Sequence, residues 1–383
     1  MSGALDGVRV LDFTQHVNGP LGTMLLADFG ADVIKVEPPE GDTMRKSGDT
    51  FIEGESAYFL SVNRNKRSVT LDLRTEAGRQ TAHALASQVD VVVENFRPGV
   101  AERLGIGYEA LQALNPRLIY CSSSAFGRDG ADSARPGMDP VVQAMSGVMQ
   151  LTGEADGTPL KTGAAFSDVI TPMLWTLGVM AALYARVGTG RGQRVELSML
   201  DASIFAMVPR EAYYFATGNA PQRLGNSHWE MVPYNTYRTS DGRHLMVLAN
   251  TDKFWRELAQ AVEARALLAD SRLATKRGRI EHRAVVDEGL AAAFAAKPLS
   301  YWNERLAQAG AMFAPVRTFA EVFGDERVQR DMVAELDHRV AGKIKVIRNP
   351  IRLSDTPTTL RRPPPVLGEH TEEILAELAS RGA

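Results

Sequence analysis

Short apolar runs alternate with amphipathic segments over the first 130 residues. "VRVLDF" (8–13), "DVIKVE" (32–37), "SVTLDL" (68–73), "DVVVEN" (90–95) and "LIYCSS" (118–123) read as buried strands, being short, apolar and rich in β-branched residues. Between them, "LGTMLLADFG", "EAGRQTAHALASQV" and "AERLGIGYEALQALN" carry apolar residues at helical spacing. Strands alternating with helices predict an α/β fold with a parallel, doubly wound sheet. Such sheets bind ligands beyond the carboxyl ends of their strands.

The pattern then changes. "TPMLWTLGVMAALYARV" (171–187) is apolar as far as Arg186 and predicts a buried helix, which "GTGRGQ" (188–193) breaks. "RVELSM" (194–199) predicts a further strand, and "LDASIFAMVPREAYYFATG" (200–218) a further helix. Residues 219–233 are rich in Pro, Gly and Asn and read as a linker. Beyond it, 234–249 reads as a hairpin with Asp241-Gly242 in the turn. Helical segments follow, including "KFWRELAQAV" and "YWNERLAQAG", and then the strand-like "APVRT" (314–318). This predicts a first domain over 1–218, a linker over 219–233 and a small α+β domain over 234–325. The segment 326–383 has too little core to stand alone and is expected to return to the first domain.

Composition narrows the function more by exclusion than by assignment. The chain has 383 residues, 44% hydrophobic and 23% charged, an ordinary balance for a soluble globular protein. A net charge of −3 argues against a nucleic-acid partner. No apolar stretch reads as long enough for a membrane span, and "MSGALDGVRVLDF" lacks the pattern of a signal peptide. One cysteine, Cys121 in "LIYCSSSAF", excludes an internal disulfide and fits a reducing cytoplasm, with the thiol buried in a strand. The seven histidines show no ligand spacing, so no metal is expected.

Two features carry candidate chemistry. The loop "TQHVNGPLG" after the first strand lacks the G-x-G-x-x-G that a dinucleotide pyrophosphate requires. Cations nevertheless gather at predicted strand ends and loops: "NRNKRS" (63–68), Arg74, Arg97, Arg103 and Arg135, candidate phosphate contacts because guanidinium groups donate bidentately. The second feature is Asp168 in "KTGAAFSDVITPM", an acid without a histidine beside it or a second acid within ten residues. It is expected either to open the following helix as its N-cap or N1 residue or to do chemistry.

Several motifs decide between these. "GVRVLDFTQHVNGPLGTMLLADFGADVIKVEPPEGD", "SVNRNKRSVTLDLR", "VVVENFRPG", "RPGMDPVVQAMSGVMQLTG", "GAAFSDV", "ALYARVGTGRGQRVELSMLDA", "GNSHWEMVPYNTYRTSDG" and "PPPVLGEHT" together resemble family III CoA-transferases, the CaiB/BaiF and formyl-CoA transferase group. The likeness runs over nearly the whole chain in the family's order.

The resemblance implies a large Rossmann-like domain with a smaller domain inserted, and two ring-shaped subunits interlocked as a homodimer. It implies acyl-CoA and a small carboxylic acid as substrates, with coenzyme A carried as the thioester. The family's nucleophile falls on Asp168. Its CoA loop falls on His16, Val17 and Asn18, and its adenosine segment on Leu71, Asp72, Leu73 and Arg74. Its "ENF" motif falls on Asn95, Phe96 and Arg97, with Arg103 in the next helix. Arg135 and Asp139 match positions near the thiol arm of CoA. His228 and Trp229 are expected to wall the acyl site, and Arg210, Arg223 and Arg238 are candidates for a substrate carboxylate. The same fold also carries α-methylacyl-CoA racemases. There a histidine in "A-G-H-D" moves a proton, whereas this chain has "PGMD", with Met138 in that place.

Overall fold

The computed structural model describes residues 3–381. Six strands form one parallel sheet: β1 (Arg9–Asp12), β2 (Asp32–Glu37), β3 (Lys66–Thr70), β4 (Val91–Glu94), β5 (Ile119–Ser124) and β6 (Arg194–Ser198), in the order β3-β2-β1-β4-β5-β6. Pairing is parallel throughout, as in Val10↔Val33 and Val10↔Val91. The third strand starts two residues earlier than expected and ends at Thr70, since Asp72 turns the chain by bonding Arg74 N–H at 3.0 Å. The order reverses between β1 and β4, so the loops that follow these two strands diverge and leave a crevice.

Helices cover both faces. Helix α1 (Asn18–Asp28) follows β1, and α2 (Glu76–Ala86) follows β3. The helix expected over 101–115 is two, α3 (Val100–Arg103) and α4 (Tyr108–Leu114). Gly105 between them takes φ +76°, a conformation that ends a right-handed helix. Helix α5 (Asp139–Ser146) precedes α6 (Phe166–Thr189), which crosses back to the start of β6. The next apolar stretch is likewise split, into α7 (Met199–Phe205) and α8 (Arg210–Thr217), with Pro209 at the break.

Helix α6 departs from expectation in two ways. It begins five residues earlier than read, and it is only partly buried. Trp175, Val179 and Ala182 pack against the sheet with Leu26 and Ala27 of α1, while Leu177, Tyr184 and Val187 are exposed, the last two at 83%. By length and composition alone it is apolar enough to cross a membrane, contrary to the expectation that no stretch is. The close fit of α1 on α6 requires Gly22, because a Cβ there would lie 2.0 Å from Trp175 Cζ2.

The chain resolves into two compact units. The first comprises Met1–Met149, Lys161–Gly218 and Glu326–Ala383, and the second Gln150–Leu160 and Asn219–Asp325. Residues 150–160 and 219–233 therefore belong with the second unit, not with the first domain or a separate linker. In the first unit the C-terminal segment lies against β3: Arg67 of β3 pairs with Glu373 and Glu377, and Ile374 is fully buried in the core. The second unit holds a three-stranded antiparallel sheet, β7 (Tyr234–Arg238), β8 (His244–Leu248) and β9 (Met312–Pro315), with a core around Trp255, Phe294 and Trp302.

Candidate active site

A cavity of about 570 Å³ opens in the first unit at the crevice between β1 and β4. Of the residues expected at the site, His16, Asn18, Asn95, Phe96, Arg97, Arg135, Met138, Asp139 and Asp168 line it. They come from the loops after β1, β4 and β5 and from the first turns of α1, α5 and α6. Val17, Leu71, Asp72, Leu73, Arg74 and Arg103 belong to the same unit but do not line the cavity. Leu71 is a core side chain, and Arg74 is exposed and paired with Asp72 at 2.7 Å. His228 and Trp229 lie in the second unit, where their rings stack at 4.3 Å.

Asp168 is the third residue of α6, inside the first turn but past both expected places, the N-cap (Ala165) and N1 (Phe166). No described residue hydrogen-bonds its carboxylate. Burial pushes its pKa up to about 6, and the charge of Asp139 adds to the rise. The neighbouring acid is 29 residues away in sequence, which is why the segment looked isolated. At pH 7 the carboxylate remains about nine-tenths ionised and is available as a nucleophile.

Asp139 does a second job. Its Oδ1 accepts from Ser167 N–H at 2.7 Å and its Oδ2 from Gln143 Nε2 at 2.8 Å. The N-cap residue of α6, Ala165, offers no side-chain bond, so Asp139 caps this helix from across the site. Backbone donors around 168–170 are mostly committed, with Val169 N–H bonded to Ala165 O and Ser167 N–H to Asp139. The N–H of Asp168 has no partner among the described residues.

The loop between β1 and α1 is held from beneath. Lys66 Nζ meets Asp12 at 3.0 Å and also reaches Pro20 O and Asn63 Oδ1. Lys35 Nζ donates to Thr14 O and pairs with Asp42 at 2.9 Å, and Asp12 accepts from Thr14 and Thr23. Burial acts to raise the Asp12 pKa, but Lys66 and Lys35 hold it at about 2, while burial pushes Lys66 down to about 8. This network fixes Thr14 and, two residues on, His16 at φ 66°.

Two expectations about cations and amides therefore change. In "NRNKRS" the charged groups are buried and answered: Arg64 by Asp28, Lys66 by Asp12, Arg67 by Asp32. They brace the fold and do not face a ligand. Asn95 spends its amide on the backbone of Gln15, accepting from its N–H and donating to its carbonyl, both at 2.8 Å. It positions the loop. Arg223 likewise donates to the carbonyls of Gln150, Glu154 and Gly157. Arg97 is different, an exposed guanidinium at the cavity with no carboxylate partner among the described residues.

The family model described as "CoA-transferase family III" matches residues 5–371. The chain belongs to this family. Succinate–glutarate CoA-transferase of Agrobacterium fabrum is 37% identical over 98% of this chain and 95% of its own. Succinyl-CoA:mesaconate CoA-transferase of Haloarcula marismortui is 38% identical over 98% and 96%. Mouse succinyl-CoA:glutarate CoA-transferase is 35% identical over 98% and 86%. A CAIB/BAIF family crystal structure from Brucella suis superposes with a TM-score of 0.89 at 36% identity, covering 99% of this chain and 100% of that one. The chain is accordingly a CoA-transferase acting on CoA thioesters.

Proposed function

We propose that this CoA-transferase moves CoA from a short acyl-CoA, with succinyl-CoA as donor, to a small carboxylic acid, with Asp168 as the acyl carrier. The observation that carries this reading is the Asp168 carboxylate itself, half-buried in the first turn of α6, at the cavity and without a hydrogen-bond partner among the described residues.

The steps balance without any proton transfer. A carboxylate oxygen of Asp168 attacks the thioester carbonyl, and the tetrahedral oxyanion collapses by breaking the C–S bond. CoA thiolate leaves and a mixed anhydride remains on Asp168. The thiolate then attacks the aspartyl carbonyl, breaking the anhydride C–O bond and releasing the donor acid. The acceptor carboxylate attacks the resulting aspartyl-CoA thioester and retraces the sequence. Every nucleophile is already an anion, so no general base is required. The unpartnered N–H of Asp168 at a helix N-terminus is suited to the developing oxyanion. A racemase would need a proton carrier at 138, and the thioether of Met138, 68% exposed at the cavity, has no proton to move.

In the same reading, His16, Val17, Asn18, Phe96, Arg97, Arg103 and Arg135 serve CoA, with Leu71–Arg74 toward its adenosine. The second unit is the inserted small domain, and two chains interlock as a homodimer. The exposed apolar side chains of α6 to α8, including Leu177, Tyr184, Phe205 and Phe215, support an interface there. A lone buried thiol is in keeping with the cytoplasm.

The test is chemical trapping. Native enzyme incubated with succinyl-CoA and quenched with hydroxylamine is expected to yield a hydroxamate on the peptide containing Asp168, read by mass spectrometry. Asp168→Ala is expected to give neither adduct nor transfer. Retention of transferase turnover by that variant would sink the mechanism.

A further inference from the structure

The acyl-carrier reading leaves a buried glutamine of α5 without a role. Gln143 is 0% exposed, an uncommon place for an amide unless its hydrogen bonds are made. It follows Asp139 by four residues, so the two side chains share one face of the helix. Its Nε2 donates to Asp139 Oδ2 at 2.8 Å, and its Oε1 accepts from Thr162 N–H at 2.9 Å. A backbone N–H can only donate, so the Thr162 bond fixes which way the amide is turned. The Thr162 hydroxyl lies 3.2 Å from the same Oε1 and has a closer acceptor in Ala164 O at 2.6 Å. Nε2 therefore faces the carboxylate.

These bonds run in series. Thr162 N–H holds Gln143, Gln143 holds Asp139, and Asp139 Oδ1 accepts from Ser167 N–H at 2.7 Å. The two ends of the series, Thr162 and Ser167, bracket the entry to α6 and stop one residue short of the nucleophile. Between them Gly163, Ala164 and Ala165 are exposed, so core packing does not hold this stretch. A carboxylate bonded through one oxygen can still pivot about that bond; bonded through both, it cannot. Ser167 N–H occupies one oxygen of Asp139, and Gln143 supplies the second constraint.

We propose that Gln143 is a positioning residue for CoA transfer: it locks the Asp139 carboxylate against the first turn of α6 and so fixes the geometry from which Asp168 attacks. The inference rests on the acyl-carrier reading above. Attack on a carbonyl tolerates little misplacement, and an error of about 1 Å can cost about a hundredfold in rate. Gln143 is fully buried and does not line the cavity, so its loss should be felt in the rate of the chemical step and not in substrate affinity.

The experiment follows formation of the Asp168 hydroxamate from succinyl-CoA and hydroxylamine. It reads the maximal rate and the succinyl-CoA concentration that gives half of it. Gln143→Met, close to the native shape, should lower the maximal rate about tenfold to a hundredfold and move the half-saturating concentration less than about threefold. Gln143→Glu keeps an acceptor for Thr162 N–H but sets one carboxylate against another, and its maximal rate should fall as well. Asp139→Ala removes the group through which Gln143 acts, so adding Gln143→Met to it should cost less than about twofold more. Melting temperatures identify a variant that fails to fold, and the Met and Glu variants remove the donor by different routes, so either one decides. An unchanged maximal rate in a folded variant, a change confined to the half-saturating concentration, or full losses from both substitutions in the double variant would overturn the role of Gln143. An adduct in native enzyme with any of these results removes only this inference, whereas no adduct in native enzyme removes the acyl-carrier reading and this inference with it.

Discussion

Lys66, fully buried, and Asp168, half-buried, are charges of the same unit, and the fold treats them in opposite ways. Lys66 is enclosed by Asp12, Asn63 Oδ1 and Pro20 O, so each of its ammonium protons has an acceptor. Asp168 is given no partner, and a second acid is placed near it. A buried charge without an opposite charge or hydrogen bonds is costly. Where the chain answers a charge, it is building the loop under the site; where it declines to, the carboxylate stays reactive. The cation-rich run that looked like ligand-binding material is scaffold, and the solitary acid that looked like a helix cap is the candidate for chemistry.

This contrast can be broken at either end. Asp168→Asn should lower turnover by about a thousandfold or more, as removal of a nucleophile does, yet melt at or above the native enzyme. The sign follows from the raised pKa. A carboxyl whose folded pKa exceeds its unfolded value stabilises the fold at low pH and loses that contribution as pH rises through about 6. Neutralising it therefore removes a penalty at pH 7. If Asp168→Asn were strongly destabilised, with turnover intact, the contrast would be inverted.

Lys66→Met should do the reverse, costing about 3–5 kcal/mol in urea unfolding because the buried Asp12 loses its ion-pair partner. A loss below 1 kcal/mol would mean that the network does not hold the loop. Next in size is the pH profile. The acid limb of kcat/KM should bend near pH 6 and fall about tenfold per unit below it, and Asp139→Asn should move the bend to lower pH. A bend near 4 in native enzyme would contradict the burial of Asp168. The smallest effect belongs to Arg97→Ala, expected to raise KM for acyl-CoA about tenfold in low salt, less in high salt, with stability changed by under about 0.5 kcal/mol.

Much of the sheet was legible because its strands are short apolar runs such as "DVIKVE" and "LIYCSS" between helical patterns. The helix breaks were less so. Gly105 and Pro209 are visible as letters, but isolated Gly and Pro do not by themselves say whether a helix bends or stops. The cations of "NRNKRS" were misjudged because their acids, Asp12, Asp28 and Asp32, lie more than 30 residues upstream and meet them only when β3 and its lead-in pack beside β2 and α1. Asp139 and Asp168 share a site for the same kind of reason. The clamp of Asn95 on Gln15 had no sequence signal at all, since an amide holding backbone and an amide holding a ligand look alike until the loop is seen.

Cys121 gives the protein a reporter that needs no engineering. It sits in β5, between β4 and β6, fully buried, and burial holds its thiol well above the usual range. A thiol reagent reaches the sulfur only when the sheet opens. With one cysteine in 383 residues, each labelling event counts one opening. Labelling in the presence and absence of acyl-CoA would then weigh, in a single-site time course, how firmly substrate ties the two halves of the sheet together.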